Sequence, residues 1–496
     1  MDLIAGIDVG TSAVKVIVTS PDGRVLARRS RQYPTQTGMV PGGVEQHPED
    51  WWRATVDAVR DTGLAGRIAV LGIGGQMQDL VPVTTRHGRG PVRPALLYSD
   101  LRATAQHRRL LDQLPGWQCR TGNEQDASSV AAKIAWLAEH EPATLRDSDH
   151  LLLSAGGYVA WRAGAEAACD VLTASTTGLL DVETHNWGAE VLHAAGAAST
   201  AGRPEQLPRL TGNVDGDALV GEVNAAAAQD LGVRPGIPIV LALGDAGAAT
   251  DGLMGSDPGD AYLSLGTTGW LAAVLPADDG QPSPIHRLVM PGWVNRLRIG
   301  AVQSAGGTAA WALRHFLPGK DFAEADQLAL PRLATLGARP LCLPGLAGER
   351  APVRDASFRG AFVGAGEDTE AVDFYLAALT GVALALRHVA DDLGIRQQRI
   401  GLVGGGGSSA VWRQICADAL EATVVTGSDT DATCWSAART AAQALGIEND
   451  IRPLLAREHD VQQTHPSPAA AELQHLVPVH RALYDALAPT FHALNG

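Results

Sequence analysis

The feature that most limits how this chain can fold is a short grammar used twice. Near the start, Gly6-Ile7-Asp8-Val9-Gly10-Thr11-Ser12-Ala13-Val14-Lys15-Val16-Ile17-Val18 joins an apolar strand (Leu3 to Ile7) to a second strand through a small, hydroxylated turn. Val14, Val16 and Val18 alternate, as a half-buried strand requires. Mid-chain, Ala261-Tyr262-Leu263-Ser264-Leu265-Gly266-Thr267-Thr268-Gly269-Trp270-Leu271 repeats apolar strand, Gly-Thr-Thr, apolar strand, with Ser264 in the place of Asp8. Either turn alone could belong to an ordinary hairpin, because Gly, Asp and Ser are common turn residues. Two copies, each opening an α/β segment, predict a duplicated pair of similar domains. Their turns would face one another across a cleft and aim N–H groups and hydroxyls at a polyphosphate. Asp8 offers the hard oxygen ligand that a divalent cation takes.

The remainder of the first half fits that plan. After the turn Ser20-Pro21-Asp22-Gly23, residues Arg24 to Ser30 read as a third strand. Pro48-Glu49-Asp50 opens a helix with Trp52, Val56 and Val59 on one face, and Ile68 to Ile73 is a buried strand. Three strands, a helix and a strand is the order of a ribonuclease-H-like α/β half-domain. Ligands of such sheets sit beyond the carboxyl ends of the strands, where Gln76, Gln78 and Asp79 could bind a polyol. A polar strand-to-strand connection explains these three equally well. Asp100 reads as a helix cap. Lys133 to His140 reads as an amphipathic helix with Trp136 in the core. The Thr- and Ser-rich run from Asp170 to Asp181 reads as a solvated loop, with a polar pocket as the alternative, and residues 199–217 read as a long loop.

In the second half, the buried strand from Ile237 ends at Gly244-Asp245. An aspartate there either caps the next helix or accepts a proton from a substrate hydroxyl. Gly306-Gly307 precede a helix and suggest an anion site. Ala371 to Leu393 is a long helix. Strand Arg399 to Val403, the run Gly404 to Gly407 and a helix from Ala410 to Glu421, capped by Ser408 or Ser409, suggest close approach of a nucleotide to the backbone. GxGxxG is not matched. Residues 458–468 read as a linker, and Ala469 to Leu494 as a terminal helix broken or kinked near Pro478.

Composition narrows the function. A chain of 496 residues implies two to four domains. A net charge of −15 argues against nucleic acid as the main partner. Five scattered cysteines without CxxC spacing point to a reducing cytoplasm rather than disulfides or zinc. No signal peptide and no apolar run long enough to span a bilayer is read, so no membrane partner is expected.

Taken together, the motifs resemble the FGGY family of carbohydrate kinases over nearly the whole chain, and within it the xylulokinases. Gly6 to Lys15 resembles G-I-D-x-G-T-x-x-x-K. Glu45-Gln46 with Trp51-Trp52 resembles E-Q-x-P-x-x-W-W, Gln76-Met77 the Q-M of G-Q-M-H, and Tyr98 to Arg102 W-x-D-x-R. Gly244-Asp245 resembles the G-D of the catalytic base. Leu263 to Gly269 is similar to the second phosphate hairpin, Gly348 to Pro352 to S-G-E-R-x-P, and Gly404 to Asp418 to G-G-G-A-x-S-x-x-W-x-Q-x-x-A-D.

The resemblance implies two ribonuclease-H-like domains of the actin, hexokinase and Hsp70 type flanking a cleft. Residues 1–244 would bind sugar, 245–457 nucleotide, and 458–496 would be a linker and a helix packing back on the body. It implies ATP-dependent phosphorylation of a primary hydroxyl, D-xylulose to D-xylulose 5-phosphate first. Ribulose, another ketose, glycerol or gluconate are the alternatives, and a nucleotide-driven switch without a sugar acceptor is a more distant one. ATP and Mg²⁺ would be the cofactors, with Asp8 at the metal. Gly10, Thr11, Ser12, Gly266, Thr267, Thr268, Gly307, Gly405, Gly406 and Ser409 would hold the nucleotide. Gln76, Met77, Gln78, Asp100 and Arg102 would line the sugar, with Asp245 as base. A homodimer is left open. Departures gather in the sugar half: Gln78 stands where the xylulokinases have histidine, Tyr98 for tryptophan, Gly156-Gly157-Tyr158 for Lys-Asp-Tyr and Thr173 for aspartate; in the second half Thr380 of the long helix replaces glutamate.

Overall fold

The computed structural model describes residues 2–38, 40–196, 204–213, 216–278, 285–338, 340–429, 431–456 and 461–495. Both hairpins form, and each nucleates a mixed sheet of the same connectivity. In the first sheet, β1 (Leu3–Val9) pairs antiparallel with β2 (Ala13–Thr19), and β2 antiparallel with β3 (Val25–Gln32). On its other side β1 pairs in parallel with β4 (Ile68–Gly75), and β4 in parallel with β5 (Pro238–Gly244). The second sheet repeats this with β6 (Ala261–Leu265), β7 (Gly269–Pro276), β8 (Asn295–Val302), β9 (Arg399–Val403) and β10 (Thr423–Gly427). The spatial order is β5-β4-β1-β2-β3 in one and β10-β9-β6-β7-β8 in the other.

The central strands are apolar on both faces because both faces are covered. On the first sheet, α1 (Pro48–Asp61) brings Trp51 and Trp52 to one face, fully buried. The other face is covered from far along the chain by α2 (Ala432–Ala444), with Trp435 and Ala438 beside Ile4 and Val70. A β-carbon added at Gly6 would stand 1.9 Å from the Cys434 carbonyl oxygen, and one at Gly72 2.0 Å from that of Ala437. Those glycines therefore allow helix and sheet to touch backbone to backbone. A third close approach joins α2 to the helix that follows β5 (Asp245–Leu253): a β-carbon at Gly252 would lie 2.0 Å from the Ala432 oxygen.

Several local expectations are corrected. The run after Asp170 is not solvated: Thr173 and Thr177 are fully buried, and Ser175 Oγ donates to the Leu172 carbonyl and accepts from Val289 N–H. Local polarity mimicked a loop, whereas long-range hydrogen bonds satisfy these hydroxyls. The supposed loop 199–217 contains a turn of 3₁₀-helix (Pro204–Gln206) and a strand (Arg209–Thr211); its residues 199–203, 214 and 215 lie outside the described residues. In the expected linker, Val461–Thr464 extends the second sheet beside β10, while 458–460 are outside the described residues. The terminal helix Ala470–Asn495 is unbroken at Pro478. Ala371–Leu393 is long and apolar enough to cross a membrane by length and composition, contrary to the sequence reading, yet 89% of its apolar window is buried as a core helix. Trp136 is half-buried, with the Arg102 guanidinium 4.9 Å from its ring centre.

Candidate active site

The first turn is braced from beneath. Gly10 N–H donates to the Ala13 carbonyl at 3.1 Å, and the Tyr33 hydroxyl donates to the Gly10 carbonyl. Gln46 Nε2 donates to the Thr11 carbonyl at 2.6 Å, while its Oε1 accepts from Trp51 Nε1 at 2.9 Å and Gln76 Nε2 at 3.0 Å. Gln76 is fully buried and acts as a strut under the turn, with its own Oε1 lacking a partner.

The second turn is tied differently. Gly266 N–H donates to Thr268 O, and the amides of Ala305, Gly306 and Gly307 donate to the carbonyls of Thr267, Gly266 and Thr267. Those amides are engaged, so the expected anion site at Gly307 is instead a clamp on the turn. Gly404, with φ of +92°, folds the glycine run against this hairpin; a β-carbon there would be 2.6 Å from Leu265 O. Gly405 faces open space, whereas Gly406 packs on Leu265 and Trp412. Ser409 caps the helix Ala410–Leu420 through Trp412 N–H and donates to Asp326 Oδ1, so its hydroxyl is engaged.

Buried carboxylates gather at the strand ends of the first sheet. Asp8 is the last residue but one of β1, and its buried Oδ1 has no hydrogen-bond partner among the described residues. Burial pushes its pKa up to about 6, with Lys15 opposing and Asp431 adding to the rise. Asp245 is the first residue of its helix and does not cap it. Burial, and then the charge of Asp8, push its pKa up to about 7. Asp170 Oδ1 accepts from Gly244 N–H at 3.3 Å and from Thr173 N–H at 2.9 Å, holding the strand end that presents Asp245. Met77 and Thr173 close in on Gly244, where a β-carbon would come within 2.5 Å of both side chains.

Asp100 and Arg102 form a closed buried network. Asp100 accepts from Val44 N–H at 2.7 Å and from Arg102 Nε and Nη2, and Arg102 Nη2 also donates to Glu45 Oε1 at 2.6 Å. Asp100 is no helix cap: that helix starts at Thr104 after Ala103. Sequence reasoning missed Lys133, which is fully buried with Nζ 2.9 Å from the Gln78 carbonyl oxygen. Glu349 Oε1 accepts from the backbone amides of Gln303 and Arg350. A cavity of about 480 Å³ opens between Glu124, Gln125 and Asp126 of the first half and Gln303, Glu349 and Arg350 of the second.

Two mixed sheets of one connectivity, joined by packed helices, with buried acids at the strand ends of the first, define a two-domain α/β architecture. The family models for the N-terminal and C-terminal domains of FGGY carbohydrate kinases match residues 3–252 and 261–445, and the chain belongs to that family. It is a sugar phosphotransferase. Among its relatives, xylulose kinase of Escherichia coli K12 is 31% identical over 496 residues, covering 98% of this chain and 99% of that one. The crystal structure of xylulose kinase from Rhodospirillum rubrum superposes with a TM-score of 0.85 at 25% identity, over 99% of this chain and 100% of that one. Plasmodium falciparum glycerol kinase with ADP shares the fold, at a TM-score of 0.84 and 20% identity over 98% of each chain.

Proposed function

We propose that the protein transfers the γ-phosphoryl group of ATP to the primary hydroxyl of a ketopentose, D-xylulose first. The observation that supports this reading is Asp245 itself: it follows Gly244, against which Met77 packs, and it feels the charge of Asp8. The names and near-complete coverage of the xylulose kinase relatives support the sugar.

Phosphoryl transfer has a loose, highly charged transition state, so the protein mainly positions and neutralises. Thr11, Ser12, Thr267 and Thr268, with Gly10 and Gly266 in the same turns, would hold the phosphates, and Gly405 would lie under the nucleoside. Asp8 Oδ1, buried without a partner, fits a hard cation. Among the described residues no group of three or more His, Cys, Asp or Glu side chains could hold a metal. Asp8 would therefore hold Mg²⁺ together with the phosphates and water, and the ion would supply neutralising charge. Asp245 accepts the acceptor's hydroxyl proton. Its raised pKa makes it a base near neutrality, where proton transfer is most useful. Met77 and Gln78 border the acceptor, whereas Gln76 braces the first turn through Gln46 and Asp100 and Arg102 lock the segment at Val44-Glu45.

The test is ADP release against a panel of ketoses, polyols and aldonates. D-xylulose is expected to give the highest kcat/KM. Turnover led by glycerol or gluconate would replace the substrate, and ATP turnover that no sugar stimulates would replace the reaction.

A further inference from the structure

Gln78 has φ of +61°, left-handed backbone that a residue with a side chain seldom adopts. It is held there at both ends. Its side-chain Nε2 donates to Ser128 O at 3.1 Å and Ser128 Oγ at 3.0 Å, and Ser128 is fixed in turn by Asp126 Oδ1, which accepts from its N–H and hydroxyl. Its carbonyl accepts from Lys133 Nζ at 2.9 Å.

Lys133 projects from the helix Val130–His140, whose first turn is capped by Ser129, and has no exposure to solvent. Burial alone lowers the pKa of such an ammonium; the carboxylates of Asp79, Asp100 and Asp126 oppose that loss, and Arg102 adds to it. Asp79 is equally buried. Its Oδ1 accepts from Tyr98 N–H at 3.1 Å, and its Oδ2 has no partner. Burial raises Asp79 and the Lys133 charge lowers it, while Asp245 pushes it up again. The ammonium therefore sits at the centre of a closed electrostatic set. Among the described residues its one hydrogen bond goes to the left-handed Gln78, on the rim of the proposed acceptor pocket.

We propose that Lys133 is a positioning residue for the acceptor sugar, locking the Gln78 peptide in its left-handed conformation through the hydrogen bond from its Nζ to the Gln78 carbonyl. The inference rests on the reading that Met77 and Gln78 border the acceptor. It predicts an effect on acceptor recognition and none on nucleotide recognition, because the phosphate turns are braced by Gln46 and by the Ala305–Gly307 clamp.

The experiment compares wild type, Lys133→Met and Lys133→Met with Asp79→Asn. Methionine keeps the apolar stem and removes the charge and the donor. With the best acceptor of the panel, Lys133→Met is expected to raise the acceptor KM about tenfold or more while the ATP KM stays within about twofold, the loss of one charge-assisted hydrogen bond. In the double variant Asp79 no longer leaves a carboxylate buried beside the missing ammonium, so its melting temperature returns toward wild type while the acceptor KM stays high. If the single variant does not fold, the double variant carries the same comparison. An acceptor KM within twofold of wild type, or equal rises in both KM values, overturns the proposal. Hydrogen exchange of residues 76–80 needs no substrate, so it separates this proposal from the kinase reading. Exchange there about tenfold faster in the variants supports it even if no sugar is turned over; unchanged exchange overturns it.

Discussion

The two sheets share one connectivity yet end their strands in opposite chemistries. In the first, Asp8 is the last residue but one of β1 and Asp245 directly follows β5, two carboxyls whose pKa values burial lifts to about 6 and 7. In the second, the register position of Asp8 is held by Ser264, and β9 runs into the bare backbone of Gly404 and Gly405. One copy supplies charge, and the other supplies a surface that a flat, anionic ligand can approach closely. Under the proposed function, a duplicated scaffold would let one set of strand ends specialise in proton and metal chemistry while its twin keeps side chains out of the way.

That comparison can be broken most directly at Asp245. Asp245→Asn is expected to lower kcat by about 10²–10⁴-fold, the usual worth of general-base help, with acceptor binding retained in calorimetry. Near-full turnover would remove the acid-bearing half from the proton chemistry. The same group sets a pH dependence. A base whose pKa is raised to about 7 is protonated below that pH, so kcat/KM should fall as pH drops through about 7 and level off above it.

The next effect is structural. Gly6 and Tyr262 occupy equivalent strand positions, but only Gly6 lies under α2. Gly6→Ala forces a β-carbon into the Cys434 carbonyl and should cost about 1–3 kcal/mol of stability in a denaturant melt. A variant as stable as wild type would mean that α2 sits farther from the sheet.

A buried pair in the second half gives a weaker, pH-dependent effect. His388 Nε2 lies 3.0 Å from His480 Nδ1, joining Ala371–Leu393 to the terminal helix, and His480 Nε2 meets the Cys342 carbonyl at 2.9 Å. Burial lowers the two pKa values to about 3 and 4. The unfolded imidazoles bind protons below about 6.5 and the folded ones do not, so this stability is present above 6.5 and is lost progressively between about 6.5 and 3. Asp79 and Glu349, whose pKa values burial raises, work in the opposite direction. The diagnostic is therefore the difference in melting temperature between wild type and His480→Gln across pH 7.5 to 4.5, which should narrow as pH falls. The smallest effect is expected at Lys15, whose exposed contact with Asp431 at 3.7 Å should cost no more than about 1 kcal/mol when removed in Lys15→Ala.

What the sequence revealed follows from the range of the forces involved. Strand alternation and turn chemistry act over a few residues, so both hairpins, the helix Ala371–Leu393 and the glycine run were legible to within a residue or two. Contacts between distant segments were not. Nothing near Gly6 announces a helix from residues 432–444, nothing near Thr177 announces that its hydroxyl is buried, and a lysine on an amphipathic helix reads as a solvent residue until Gln78 is seen beside it. Asp100 illustrates the same limit, because its partners Val44 and Glu45-bound Arg102 come from two sides of it in the chain.

The seating of α2 on Gly6 and Gly72 has a consequence for how the protein is born. Strands β1 to β5 are complete once Gly244 has left the ribosome, but the helix that covers one face of their sheet is encoded by residues 432–444. At 5–20 residues per second the nascent first sheet waits ~10–40 s with Ile4, Val70 and Val240 uncovered. A ribosome-bound chain stopped just before residue 432 should therefore hold chaperones and digest readily, and release of the last helices should close both halves at once.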